Sequence, residues 1–125
     1  MKKIKKFKHQ NLKEMVYLNI NDDSTKFGNK WVMINGFKFQ SIKEGCYYQY
    51  LRGEKLLGNV KDFHLQVPFP IIVNSKLICT YIADFVVYYP NGSMQVIDPK
   101  GIRTETFKKK KRLLKKYYNI TIKEV

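Results

Sequence analysis

The sequence predicts an α/β domain in the order helix, three strands, helix, strand, and three observations predict it. Ser41-x-x-Glu44 is a capping box at the head of a stretch with an apolar stripe. The stretch Thr80 to Gly101, TYIADFVVYYPNGSMQVIDPKG, reads as two strands around a tight turn, the first of them apolar on both faces like a buried strand. Thr104 stands where it can cap a second helix, whose Phe107, Leu114 and Tyr117 or Tyr118 fall at helical spacing.

Taken in order, residues 1–26 form a basic extension. Lys2, Lys3, Lys5, Lys6 and Lys8 make a tail, and Leu12 to Ile20 fits either a short helix or a strand. From residue 27 to 125 the chain reads as one domain. Trp31 to Ile34, Asn35-Gly36 and Phe37 to Phe39 form a small hairpin. The first helix runs from Ser41 to about Leu57, with Tyr47, Tyr48, Leu51 and Leu56 as its stripe, and Gly58 ends it. Val60 to Val67 is a strand with Gln66 near its end. Pro68 and Pro70 interrupt it, Ile71 to Val73 resumes extended structure, and Asn74-Ser75 turns the chain toward the strand that carries Asp84. The second helix is followed by a last strand, Ile120 to Val125.

At 125 residues the chain is long enough for one domain with a real core, and 44% apolar residues exclude a disordered protein. Net charge is +14, unevenly spread: residues 1–20 hold six Lys/Arg against one acid, and residues 101–125 hold nine against two. Lys108, Lys109, Arg112, Lys115 and Lys116 line the outer side of the second helix. Such a distribution favours a polyanion, nucleic acid before an anionic membrane, over solvated solubilising lysines. No signal peptide or membrane-spanning run is expected, which predicts a cytoplasmic protein. Cys46 and Cys79 lack zinc-ligand spacing and are read as reduced, core or near-core residues.

The chemistry concentrates at Asp84, Asp98 and Lys100. A two-residue Asn91-Gly92 loop would leave the aspartates on opposite faces. A three-residue loop, Pro90-Asn91-Gly92, sets Asp84 across from Asp98 and Ile82 across from Lys100, and it suits Pro90 and Gly92 better. Opposed carboxylates among apolar neighbours repel unless one protonates or a cation lies between them. The residues leave two readings open: a hard-metal site with a lysine beside it, or a salt-bridged strand pair in which Lys100 neutralises Asp98.

The element order, an aspartate on the second strand and Asp-x-Lys on the third resemble the PD-(D/E)XK, restriction-endonuclease-like nuclease superfamily. Within it, FQSIKEG at Phe39–Gly45, LQVPFP at Leu65–Pro70, YIADF at Tyr81–Phe85 and DPKG at Asp98–Gly101 are similar to a family of small phage and prophage proteins. The resemblance covers about residues 27–125 and implies a mixed central sheet flanked by helices. It implies that Asp84 and Asp98 bind Mg²⁺ or Mn²⁺ with the Pro99 carbonyl as a third ligand, and that Glu44 completes the metal site from the first helix. Lys100 would be the signature lysine, orienting water and stabilising developing charge rather than acting as general base. Gln66 is similar to a glutamine that some relatives place beside the site. Two residues depart from the pattern: Ala83 replaces the motif's proline, and Pro99 stands where a β-branched residue is usual, so that the strand bulges there or its partner ends early.

The implied function is a phage-encoded, Mg²⁺-dependent DNA endonuclease, structure-selective in the manner of a junction resolvase by superfamily analogy, and a homodimer by the same analogy. The alternatives are a non-catalytic nucleic-acid-binding protein on a nuclease-like scaffold, and a module that binds an acidic protein.

Overall fold

The computed structural model describes residues 3–9, 14–20, 31–99 and 103–125, with the first two segments described by their backbone. The chain forms two compact units, residues 1–50 and 51–125. In the first, strands β1 (Lys3–His9), β2 (Glu14–Ile20), β3 (Trp31–Ile34) and β4 (Phe37–Phe39) make an antiparallel sheet in that order. The basic segment read as a tail is therefore a strand, with Lys3 paired to Ile20 and His9 to Glu14, and the ambiguous stretch before Ile20 is its partner. A hairpin partner satisfies backbone groups that composition alone left unassigned.

The β3–β4 hairpin turns at Asn35 and Gly36, both at positive φ, as its Asn-Gly pair requires. Helix α1 (Ile42–Leu57) starts where Ser41 Oγ accepts the Glu44 amide at 3.1 Å. Its first half lies close on β3: a Cβ on Gly45 would stand 2.4 Å from Val32 Cγ1. Cys46, next along the helix, points outward and is exposed, so it is not a near-core residue; Cys79 is half-buried, and both are free thiols. Leu56 is likewise exposed, leaving Tyr48 and Leu51 as the buried part of the stripe.

The second unit is a four-stranded mixed sheet, order β5 (Asp62–Val73), β6 (Lys76–Tyr88), β7 (Met94–Asp98), β8 (Ile122–Glu124), antiparallel except for β8 beside β7. Strand β5 is continuous through both prolines, pairing Pro68 with Ile82 and Pro70 with Thr80, which corrects the expected interruption. At an edge strand, two prolines of one parity turn their missing N–H groups away from the single neighbour. Gly58 (φ 84°) ends α1, and Asn74 and Ser75, both at positive φ, make the β5–β6 turn.

Helix α2 (Glu105–Tyr118) is capped by Thr104, whose Oγ1 accepts the Phe107 amide at 3.1 Å, and it closes at Asn119 in the left-handed conformation. It lays Phe107 and Leu114 on a core of Tyr81, Ala83, Val86, Val96 and Ile122. Of the two tyrosines in question, Tyr118 reaches the sheet: it donates to the Pro70 carbonyl at 2.5 Å and meets Phe69 edge-on. Phe85, Val87 and Ile97 are fully buried too, so β6 is covered on both faces over Phe85–Val87, while Ile82 and Tyr88 of its apolar run stay exposed. Among the described residues no helix is long and apolar enough to cross a membrane.

Candidate active site

The turn between β6 and β7 decides where the aspartates go. The Gly92 amide donates to the Tyr89 carbonyl at 3.0 Å, the Tyr89 amide to the Ser93 carbonyl at 2.9 Å, and Gly92 is left-handed at φ 89°. This is the three-residue loop, a type I turn with Pro90 first, closed by a glycine bulge. The ladder then runs Tyr88–Met94, Val87–Gln95, Val86–Val96 and Phe85–Ile97. Asp84 and Asp98 are the next residues outward from that last rung.

Asp98 is 1% exposed, the buried charged residue of the core. A carboxylate there is tolerated only with a strong donor. Tyr81 supplies one: its hydroxyl donates to Asp98 Oδ2 at 2.8 Å inside the protein. Burial, then the charge and hydrogen bond of Asp98, then the charge of Asp84 hold the Tyr81 phenol far above its ordinary pKa. The phenol therefore stays a proton donor throughout the neutral range.

Asp84 is half-buried, and its Oδ1 accepts from Gln66 Nε2 at 3.2 Å. Gln66 lies between the rungs Leu65–Phe85 and Val67–Ala83, across from Asp84, with φ at 52°. A non-glycine residue held left-handed inside a strand stores strain. The core takes Tyr81 and Ala83 on one side of Asp84 and Val86 on the other. Strict alternation cannot give that spacing, so the facing of β6 shifts by one residue around Asp84. The irregular rung is where the candidate site lies.

The row continues past Asp98. The parallel β7–β8 pairing sets Asp98 beside Glu124, whose carboxylate binds Lys111 at 2.6 Å and Arg103 at 2.9 Å. The Lys111 hydrogen bond, more than any other contact, holds the Glu124 carboxyl below its ordinary range. Gln66, Asp84, Asp98 and Glu124 thus form one polar row across all four strands, with the end residues engaged by an amide contact and by two cations. The central pair offers carboxylate oxygens, the donors that hard divalent cations prefer, and Mg²⁺ is commonly held by one or two carboxylates with water completing its shell. The donor chemistry fits such an ion. Among the described residues no three His, Cys, Asp or Glu side chains converge as a metal group.

Pro99 is buried and follows the end of β7, so the strand stops before the residue that lacks a ladder N–H. Lys100 lies outside the described residues. Glu44 is in the first turn of α1 within the 1–50 unit, where its amide takes the Ser41 cap. Beside Tyr81 a cleft of about 240 Å³ is lined by Ile82, Thr104, Thr106, Phe107 and Lys110. Of the five predicted basic residues, Lys108, Arg112 and Lys115 line a groove of about 470 Å³ with Arg103, Lys111 and Thr121. Lys109 and Lys116 are not among its lining residues, and Lys116 lies over the Tyr117 ring, 5.3 Å from its centre.

The sequence reading missed Tyr81, Glu124, Arg103 and Lys111. The signal for Tyr81 was a tyrosine in a strand predicted to be buried, because a buried phenol needs a partner. Glu124, the acid of the closing strand, carried no signal until β8 was placed beside β7.

No curated protein and no solved structure matches the chain. Residues 24–124 match the family described as "Protein of unknown function (DUF1064)", and over that span the chain belongs to this family.

Proposed function

We propose that this protein is a metal-dependent nuclease of the PD-(D/E)XK kind that hydrolyses DNA phosphodiester bonds internally. The observation that carries the proposal is Asp98 seated in the core on the Tyr81 hydroxyl, at the end of a β6–β7 ladder whose next residue on β6 is Asp84. Two carboxylates so placed, one of them buried, are favourable when a cation neutralises them. Asp84, Asp98 and the Pro99 carbonyl would hold Mg²⁺ or Mn²⁺, which supplies charge neutralisation at the phosphate and a more acidic water.

The chain's own residues then have distinct tasks. Tyr81 fixes the orientation of Asp98, as partners behind metal ligands do. Gln66 holds one oxygen of Asp84 in place. Lys100, two residues after Asp98 in the sequence, orients water and offsets charge developing on the phosphate. The superfamily analogy further suggests a branched DNA substrate, a homodimer and work inside a phage-infected bacterial cell. The second reading, a nucleic-acid-binding protein without catalysis, draws on the basic groove, which needs neither aspartate.

Cleavage of supercoiled plasmid and of a four-way junction with Mg²⁺, Mn²⁺ or EDTA separates the two. Metal-dependent nicking by wild type, lost in Asp98→Asn and Lys100→Ala, is the expected result. Wild-type protein that binds DNA tightly and cleaves neither substrate in either metal overturns the nuclease reading.

A further inference from the structure

The polar row changes sign at its β8 end. Glu124 is one strand away from Asp98, about 4.8 Å in the direction of the ladder, and it carries Lys111 and Arg103. Those two cations also belong to the wall of the 470 Å³ groove, together with Lys108, Arg112 and Lys115. Residues 108, 111, 112 and 115 recur at three- and four-residue spacing, so they form one stripe along α2. From 108 to 115 that stripe is about 10 Å long at 1.5 Å per residue, which matches roughly three nucleotides of one strand at 3.4 Å each. Among the described residues the acids that meet this stripe are Glu105, on Lys108 at 3.2 Å, and Glu124, on Lys111 and Arg103. Arg112 and Lys115 make no ion pair among the described residues; Lys115 reaches only the amide oxygen of Asn119, at 3.1 Å.

We propose that this groove is a second backbone subsite, in which Arg112 and Lys115, backed by Arg103, Lys108 and Lys111, hold the phosphates that follow on the same strand from the one at Asp84 and Asp98. The inference rests on the nuclease reading for the identity of the strand, and adds to it where the strand leaves the site. Lined by cations and one threonine, the groove contacts phosphates rather than base edges, so its grip is independent of sequence. Glu124 acts as a positioning residue, setting Lys111 and Arg103 in the wall of the groove and at the same time screening them from Asp98.

The test compares two double variants of equal charge on the same helix, Arg112→Ala/Lys115→Ala and Lys109→Ala/Lys116→Ala. All four side chains are exposed or largely so, and the Glu124 pairs stay intact in both variants. Binding of a labelled duplex is followed by fluorescence anisotropy in EDTA over a salt series, with circular dichroism melts as the control for folding. The groove variant should bind at least about tenfold more weakly at moderate salt, and its slope of log K against log salt should fall by about 1.8, at 0.9 per lost phosphate contact. The other variant should change less than threefold. Equal losses in both variants, or wild-type protein that does not bind duplex, overturn the groove assignment. If binding behaves as expected while wild type fails to cleave with Mg²⁺ or Mn²⁺, the groove stands and the nuclease reading alone falls.

Discussion

The two aspartates at the centre of the sheet are held in opposite ways. On the β7 side Asp98 is 1% exposed, reached by a buried phenol and flanked by a strand whose own acid is tied to two cations. On the β5 side Asp84 is half-buried beside an edge strand, and its partner is an exposed amide side chain on a left-handed residue. Asp98 is therefore a fixed carboxylate whose geometry is set by the core, and Asp84 an adjustable one whose partner can yield. On the proposed nuclease reading a metal site would benefit from both: a buried ligand would define the position, and a more accessible one would admit substrate and solvent. The difference predicts that damage to Asp98 or to its phenol is large, and that damage on the β5 side is smaller and confined to function.

The largest effect belongs to Asp98. Asp98→Asn keeps an oxygen for the Tyr81 hydroxyl and removes the charge, so the fold should survive. Metal-dependent cleavage should fall by more than about 100-fold, beyond the 10–100-fold typical of a partner behind a ligand. Titration of Mn²⁺ by calorimetry should show the same loss without any DNA present. Asp98→Asn protein that binds Mn²⁺ like wild type would place the ion elsewhere and remove the contrast between the two carboxylates.

Tyr81→Phe comes next and tests whether the core side is rigid for the reason given. It leaves Asp98 Oδ2 without the phenol, at a cost of about 1–3 kcal/mol in chemical denaturation. Cleavage should drop about 10–100-fold. The pH dependence has a definite sign. The folded phenol titrates far above its unfolded value of about 10, so its contribution is complete below that pH and declines as pH rises past it, by about 1.4 kcal/mol per unit. The stability gap between wild type and Tyr81→Phe should be constant from neutral pH to about 10 and narrow above it. A gap that widens there would show that Tyr81 does not donate to a carboxylate.

How much of this was readable beforehand follows the range of each interaction. The β6–β7 register was legible because four consecutive residues, Tyr89 to Gly92, contain all the turn chemistry that fixes it, and the Thr104 cap was legible for the same reason. The course of β5 was not, because Pro68 and Pro70 are breakers in a central strand and harmless at an edge, and nothing local says which position β5 occupies. Tyr81 carried no such local signal for its partner, since alternation from Asp84 places it on the far face. The shift in facing around Asp84, with Gln66 at φ 52°, is what brings its hydroxyl to Asp98. The pairing of Asp98 with Glu124 joins residues 26 apart in sequence across a parallel crossover, beyond any local signal. What distinguishes Lys111 from the other basic residues of α2, its bond to Glu124, depends on that crossover.

On the adjustable side, Gln66 separates function from stability. Gln66→Gly relieves the left-handed backbone but loses the contact to Asp84, whereas Gln66→Ala keeps the strain and loses the same contact. The glycine variant should be about 0.5–1 kcal/mol more stable than the alanine variant once the greater freedom of unfolded glycine is subtracted. Both should lose cleavage by a similar factor, several-fold to tenfold. Equal stability of the two variants would mean that the strand does not hold Gln66 under strain.

The smallest effect is expected at the far end of the row, where Lys111→Met removes one of the two cations from Glu124. A partly exposed pair of this kind contributes about 0.5–1 kcal/mol. The Glu124 carboxyl is held below its ordinary range chiefly by Lys111, so this stability is present above the unfolded glutamate value of about 4.3 and fades as pH falls through the folded one. The melting difference between wild type and Lys111→Met should accordingly be seen at pH 7 and vanish in acid, the opposite limb from Tyr81. Arg103, still bonded to the other oxygen, keeps the carboxylate from being left uncompensated beside Asp98, which is why the loss stays small. A loss as large as that of Tyr81→Phe would mean that Glu124 is part of the rigid support of Asp98 rather than a separate clamp on the two cations.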